Sequence, residues 1–496
     1  TGFMGYVHPD EDTRTMGQQL EERISKWGIE ISFRPELYRA LKAFADTDEA
    51  KELTGEPARL LEFTLRDFRK AGHELSESDQ ARLKELSNRL VELGTQFQKN
   101  IADVDDVLVV SRDDLDGMPD WYADSLESAE SGDGLQITMA YPHVVPFIQN
   151  ASRRDLREAL MFKFNNRARE INRVILAEAV EIRQEIADLF GQESWAHHVL
   201  DERMAENPEN VFDFYDSLLE PLQAAAREEI AHMTQLLRRD TGDDAAVLQA
   251  YDWQYYDTLL RKTEYGVDPN EVAQYFELSQ VLDGMFEITG EVFGLSYERV
   301  EASTWHPEVI TYAIHDAGSG ELISHFYMDL FPREAKFSHA AAFPLVPGRR
   351  LADGGYQHPV SAIVANVTKP TEERPSLLQH QEVETMFHEF GHILHQTLTR
   401  AELVRFSGTS VERDFVEAPS QIMEHWTWKP DVLQRFARHH ETGDPIPEDL
   451  VVRLVAAKNL NIALMKLRQM TYGTLDMKLL GPNPDRVLDR ALLDGH

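Results

Sequence analysis

The chain has 496 residues, 42% apolar and 27% charged, with no cysteine and a formal charge of −36. That is the composition of a globular protein with room for more than one core, and it excludes disulfides, thiolate metal ligands and a cysteine nucleophile. The negative charge repels phosphate backbones, so no nucleic acid partner is expected; no stretch approaches the roughly 20 apolar residues of a membrane span, so no membrane insertion is expected either. A chain without cysteine suits a cytoplasmic setting. Its acidity has two readings, an ordinary soluble acidic protein or adaptation to high salt, which charge alone does not separate.

Long helical patterns dominate the first three hundred residues, and a mainly helical lobe is expected over 1–300. Leu83, Leu86, Leu90, Leu93 and Phe97 recur at 3,4 spacing, which predicts one apolar stripe on a helix. Ser76, with Asp79 three residues on, gives that helix a start resembling a capping box. A second stripe runs through Ile175, Ala179, Ile182, Ile186 and Leu189, with Gly191 where a helix C-cap is expected. From Val309 the texture changes: residues 309–314, the turn Asp316-Ala-Gly-Ser-Gly320 and residues 322–331 read as strand, turn and strand. Ser361 to Val367 reads as a third strand, ended by Pro370. The fold class is therefore mainly α with a small β region (α+β), and the chemistry is expected in a region spanning 301–496.

That region contains His388-Glu-Phe-Gly-His392, an H-E-x-x-H pattern in which Phe387, Leu394 and Leu398 recur at helical intervals. Residues i and i+4 lie on one helix face a turn apart, close enough for two imidazoles to share one zinc ion. Glu389, next to the first histidine, can then reach a water whose pKa zinc lowers towards roughly 7. With 19 histidines in the chain, chance supplies on the order of 0.1 such pentapeptides, so the motif needs support from its context. A catalytic zinc requires a third protein ligand. The position ten residues after His388 is Leu398, which rules out a third histidine at that spacing, and Glu412, Asp414, Glu417 and Glu424 compete as carboxylate ligands. Spacing does not choose among them. His395 lies two turns, about 10.5 Å, beyond His388 and is too far to share the ion; it reads as a neighbour of the site or a core histidine.

Beyond the motif, Phe406-Ser-Gly-Thr409 and Val411-Glu-Arg-Asp-Phe-Val-Glu417-Ala-Pro-Ser-Gln421 follow. With Phe326 to Glu334, Ala365 to Pro370 and, more weakly, Val7-His8-Pro9-Asp10, the chain resembles the thimet oligopeptidase family of metallopeptidases over nearly its whole length. The resemblance implies a two-lobed helical zincin-type peptidase with a deep substrate channel, one Zn2+ per chain held by His388, His392 and Glu417, Glu389 as catalytic base, and short peptides as substrates. Ser361 to Val367 is expected to be an edge strand along which substrate adds. Asp414, Gln421 and Glu424 are the candidates for orienting the histidines. The expected reaction is hydrolysis of internal peptide bonds; the alternatives are a peptidyl-dipeptidase and a zinc- and peptide-binding form with little activity. The family continues past the equivalent of Arg468-Gln-Met470 into a Gly/Tyr-rich segment that stabilises the oxyanion, which these 496 residues do not reach. The expectation is thus of a catalytic region incomplete at both chain ends.

Overall fold

A computed structural model of the chain describes residues 2–129, 132, 134–337, 339–371 and 374–482; residues 483–496, the end of the expected catalytic region, lie outside them. It is 58% helix and 11% strand, a helix-dominated α+β fold. Contact density divides it into two units, Thr1–Glu74 with Val267–Val455, and Leu75–Gly266 with Ala456–His496. Neither is a continuous segment, so the division does not fall at residue 300: the first helices belong with the sheet, a long-range pairing that local periodicity does not encode.

In the second unit the two stripes pair with each other. Leu83, Leu86 and Leu93 of the helix Glu77–Ala102 cluster with Ala179, Ile182 and Ile186 of the helix Arg169–Leu189. The Ser76 hydroxyl accepts from the Asp79 amide at 3.2 Å, satisfying one of the unpaired donors at that helix start. Arg82–Glu185 and Arg89–Glu178 pairs flank the stripe; being exposed, they contribute little.

The first unit is built on a five-stranded sheet of β1 (Leu295–Arg299), β2 (Ile310–Asp316), β3 (Leu322–Asp329), β4 (Ala341–Val346) and β5 (Val360–Val364), in the order β1-β2-β3-β5-β4. The turn between β2 and β3 is closed by the Asp316 carboxylate, which accepts from the amides of Gly318 and Ser319, and Gly320 supplies a φ of +75°. One sheet face offers Ile314, Phe326, Met328 and Ile363 to the helix α1 (His380–Thr397), whose Phe387, Phe390, Ile393 and Leu394 complete the core. The opposite face packs Ala362 and Val364 against Val7, Trp305 and Val309. Just after Val7, Asp10 caps the helix Glu11–Ser32 by accepting from the Thr13 amide.

One strand expectation is corrected here. β5 is interior, parallel to β3 on one side and antiparallel to β4 on the other. Its run Val-Ser-Ala-Ile-Val, buried without alternation from Ser361 to Val364, is what a strand covered on both faces requires. The edge beside it is β4, where Pro344, which has no N–H to donate, is tolerated.

Candidate metal centre

The helix α1 begins with a reciprocal capping box, Gln379 with Glu382, and places His388 and His392 a turn apart on the side away from its apolar stripe. Gly391 between them has a packing role: a Cβ there would lie 2.6 Å from the Ser420 Cα and 3.1 Å from the Pro419 carbonyl oxygen. Only glycine allows the short helix α2 (Ala418–Glu424) to approach α1 this closely. Gly408 serves the same end of the chain, with φ +57° and its Cβ direction 2.8 Å from the Gln396 Cα.

The approach of α2 brings Glu417, its N-cap residue, to the histidines. Glu417 Oε2 lies 3.2 Å from His388 Nε2 and 3.1 Å from His392 Nε2. Among the described residues these three form the one group of His, Asp or Glu with all donor atoms within 4.8 Å of one another. Ligands at roughly 2.0–2.2 Å from a tetrahedral zinc stand about 3.4 Å apart, so two neutral imidazole nitrogens and a carboxylate oxygen at this spacing fit such an ion. The other acidic candidates lie elsewhere. Glu424, the last residue of α2, accepts from His388 Nδ1 at 2.7 Å, Glu412 pairs with Arg59, and Asp414 is exposed outside the group. Gln421 is exposed, and its carbonyl accepts from His425.

Glu389 is 7% exposed. Burial raises its pKa and the nearby Glu417 adds to the rise, while His388 and a hydrogen bond from the Ala342 amide of β4 oppose it. Burial lowers the pKa of His392, against the pull of Glu417, and so favours the neutral imidazole that can donate a lone pair. The same cause, with His392 adding to it, lowers His395; His395 stands 6.3 Å from the Phe415 ring, and its Nδ1 has no hydrogen-bond partner among the described residues.

The profile of peptidase family M3 matches residues 147–493 of this sequence. The chain belongs to that family. As a family M3 member it is a metallopeptidase, an enzyme that hydrolyses peptides. It is similar to a thimet-like oligopeptidase of Dictyostelium discoideum, 37% identical over 99% of this chain and 75% of the relative. An oligopeptidase A of Salmonella typhimurium is 33% identical over 95% of this chain and 72% of its own length, and a dipeptidyl carboxypeptidase of Escherichia coli is 30% identical over 96% and 71%. No described helix of this family M3 chain is long and apolar enough to cross a membrane.

Three contributors escaped sequence reasoning. Ser420, fully buried, donates to Glu417 Oε2 at 2.9 Å and so holds the oxygen that faces the histidines; a serine three residues after a candidate carboxylate is a local pattern that could have flagged it. Gly391 and Ala342 act through elements distant in sequence and left no local signal.

Proposed function

We propose that the chain is a zinc-dependent oligopeptidase that cuts internal bonds of short peptides, with His388, His392 and Glu417 as the zinc ligands and Glu389 as the catalytic base. The observation that carries this reading is the approach of Glu417 Oε2 to two Nε2 atoms at 3.1 and 3.2 Å, with a buried carboxylate on the residue after the first histidine. Zinc, when bound, acts as a Lewis acid that polarises the scissile carbonyl and makes a water acidic enough to be deprotonated near neutral pH. Glu389 takes that proton as the water attacks and delivers it to the leaving amine. Glu424, accepting from His388 Nδ1, holds that ring in the tautomer that leaves Nε2 free. Among the described residues β4 pairs on its β5 side alone, and an extended peptide adding to this edge would bind through its main chain and so tolerate many sequences. A chain without cysteine is consistent with a cytoplasmic enzyme.

The names of the Dictyostelium and Salmonella relatives support an oligopeptidase. The Escherichia coli relative, a dipeptidyl carboxypeptidase, keeps a second reading open, release of C-terminal dipeptides. Product masses from a C-terminally amidated peptide separate them. Internal cleavage supports the first reading, and cleavage only of the free-acid peptide, two residues from its end, supports the second. For the site itself, Glu389→Gln is expected to retain about one zinc per chain and lose turnover. Near-normal rates in that variant would remove Glu389 from the mechanism.

A further inference from the structure

Glu417, which joins the histidines, and Glu424, which accepts from His388, stand at the two ends of one short helix, the first as its N-cap and the second as its last residue. The geometry of the centre is therefore set by where α2 sits along α1. At the start of α2 the position is fixed by the backbone approach of Ser420 to Gly391. Met423, buried in the core, also packs at Gly391, so these contacts hold the middle of α2, and the direction in which its last turn leaves α1 depends on a second fixing point beyond Glu424.

That point is present. The chain leaves α2 through a 3-10 turn, His425–Trp428, and the turn is pinned to the first turns of α1 by two hydrogen bonds. Trp428 Nε1 donates to Glu384 Oε1 at 2.5 Å, and His380 Nε2 donates to the Thr427 carbonyl at 2.8 Å. The His380 ring stands edge-on to Trp428 with centroids 4.2 Å apart, so donor and acceptor are held by packing as well as by hydrogen bonding. Thr427 Oγ1 in turn donates to the Glu424 carbonyl at 2.8 Å, which ties the pinned turn to the residue that orients His388. Glu384, His388 and His392 are spaced i, i+4 and i+8 on α1, so they share one face, and the bond to Trp428 is made on the side where the site lies.

We propose that the contacts of Trp428 with Glu384 and of His380 with Thr427 form a clamp that positions the metal centre by fixing α2 against α1. Trp428, Glu384 and His380 are positioning residues; none of them contributes a donor atom to the group of three. The inference rests on the metal-binding reading above. Its physical content is a lever: release of the clamp lets α2 pivot about the Gly391–Ser420 contact. The Glu424 end, nearer the clamp, then moves more than the Glu417 end. His388 loses its orienting acceptor before the ligand set comes apart.

The test uses the full chain and four variants. Trp428→Phe removes the donor and keeps most of the ring, Glu384→Met removes the acceptor, Glu384→Gln retains an acceptor oxygen, and Trp428→Phe/Glu384→Met removes both. Zinc affinity is measured by competition with a chromogenic chelator, the cobalt(II)-substituted chain by its visible absorption, and the metal-free chain by thermal unfolding. Loss of one hydrogen bond should weaken zinc binding about fivefold in Trp428→Phe and Glu384→Met and alter the cobalt bands. The double variant should be no worse than either single one, and Glu384→Gln should stay near the parent. Lower thermal stability with unchanged zinc affinity and cobalt spectrum would overturn the proposal, because the clamp would then be only structural. If the parent chain itself bound no zinc, and Glu417→Ala made no difference, the metal-binding reading would fail and the clamp with it.

Discussion

Asp252 of the second unit and Glu389 of the first are both buried carboxyl groups, and the fold treats them in opposite ways. In the second unit Asp252 is 0% exposed and Arg157 1%, and each is saturated. Asp252 accepts from Arg154 at 2.7 and 2.9 Å, from Arg157 at 3.0 Å and from the Gln249 amide at 2.9 Å. Arg157 also donates to the carbonyls of Ala151 and Tyr251. In the first unit Glu389 is nearly as buried, yet burial dominates its pKa, and the Nδ1 atoms of His392 and His395 have no hydrogen-bond partner among the described residues. A structural charge uses up its hydrogen-bonding capacity within the fold, whereas a reactive centre keeps some in reserve.

The largest expected effects test that contrast directly. Glu389→Gln should cost turnover on the order of 10³-fold and leave stability unchanged or raised, since it removes a desolvated carboxylate. Asp252→Ala should do the reverse, costing roughly 3–5 kcal/mol by leaving buried Arg157 uncompensated without entering the chemistry. Peptide hydrolysis rates and urea unfolding on the same two proteins decide it. If Glu389→Gln unfolded as readily as Asp252→Ala, the two buried charges would be of one kind.

Next in size is the close approach of the two site helices. Gly391→Ala places a methyl 2.6 Å from the Ser420 Cα, and because the neighbouring atom is backbone, α2 must shift. Overpacking of this kind costs about 1–3 kcal/mol, and zinc binding should be lost because Glu417 moves with α2. Glu424→Ala leaves the ligand set intact and should weaken zinc about 10–100-fold, as loss of an orienting partner does elsewhere. Equilibrium dialysis reads both. An order reversed, with Glu424→Ala the more damaging, would mean that His388 orientation matters more than the placement of Glu417.

What was legible in the sequence follows from the same contrast between local and long-range structure. His388, Glu389 and His392 sit within one helical turn, so helical geometry alone brought them together. The proposed carboxylate ligand is not legible by spacing, because Glu412, Asp414, Glu417 and Glu424 lie within thirteen residues and it is the docking of α2 on α1 that brings Glu417 to the histidines; resemblance supplies that choice. Gly391 looked like a filler of the motif, and its reason appears only when Ser420 arrives. β4 is hidden in the sequence because Pro344 interrupts its apolar run, and the apolar pattern of β5 does not name its neighbours, which the structure shows on both sides of it. The two helical stripes of the second unit were read correctly, since each carries its pattern within about twenty residues.

The smallest expected effect concerns mild acid. His325 on β3 pairs with Ala313 of β2 and Val360 of β5, and its pKa is lowered by burial and then by the neighbouring His315 and His358. With the folded-state pKa below the unfolded value of about 6.5, the unfolded chain binds more protons between the two values, so stability rises with pH across that window. The contribution is complete above the unfolded value and declines as pH falls through it towards the folded one. Zinc-loaded chain titrated from pH 8 to 5.5 should therefore lose stability in the first unit, and His325→Phe should flatten part of that slope. Equal slopes in His325→Phe and the parent would show that the histidine is protonated as easily in the fold as out of it.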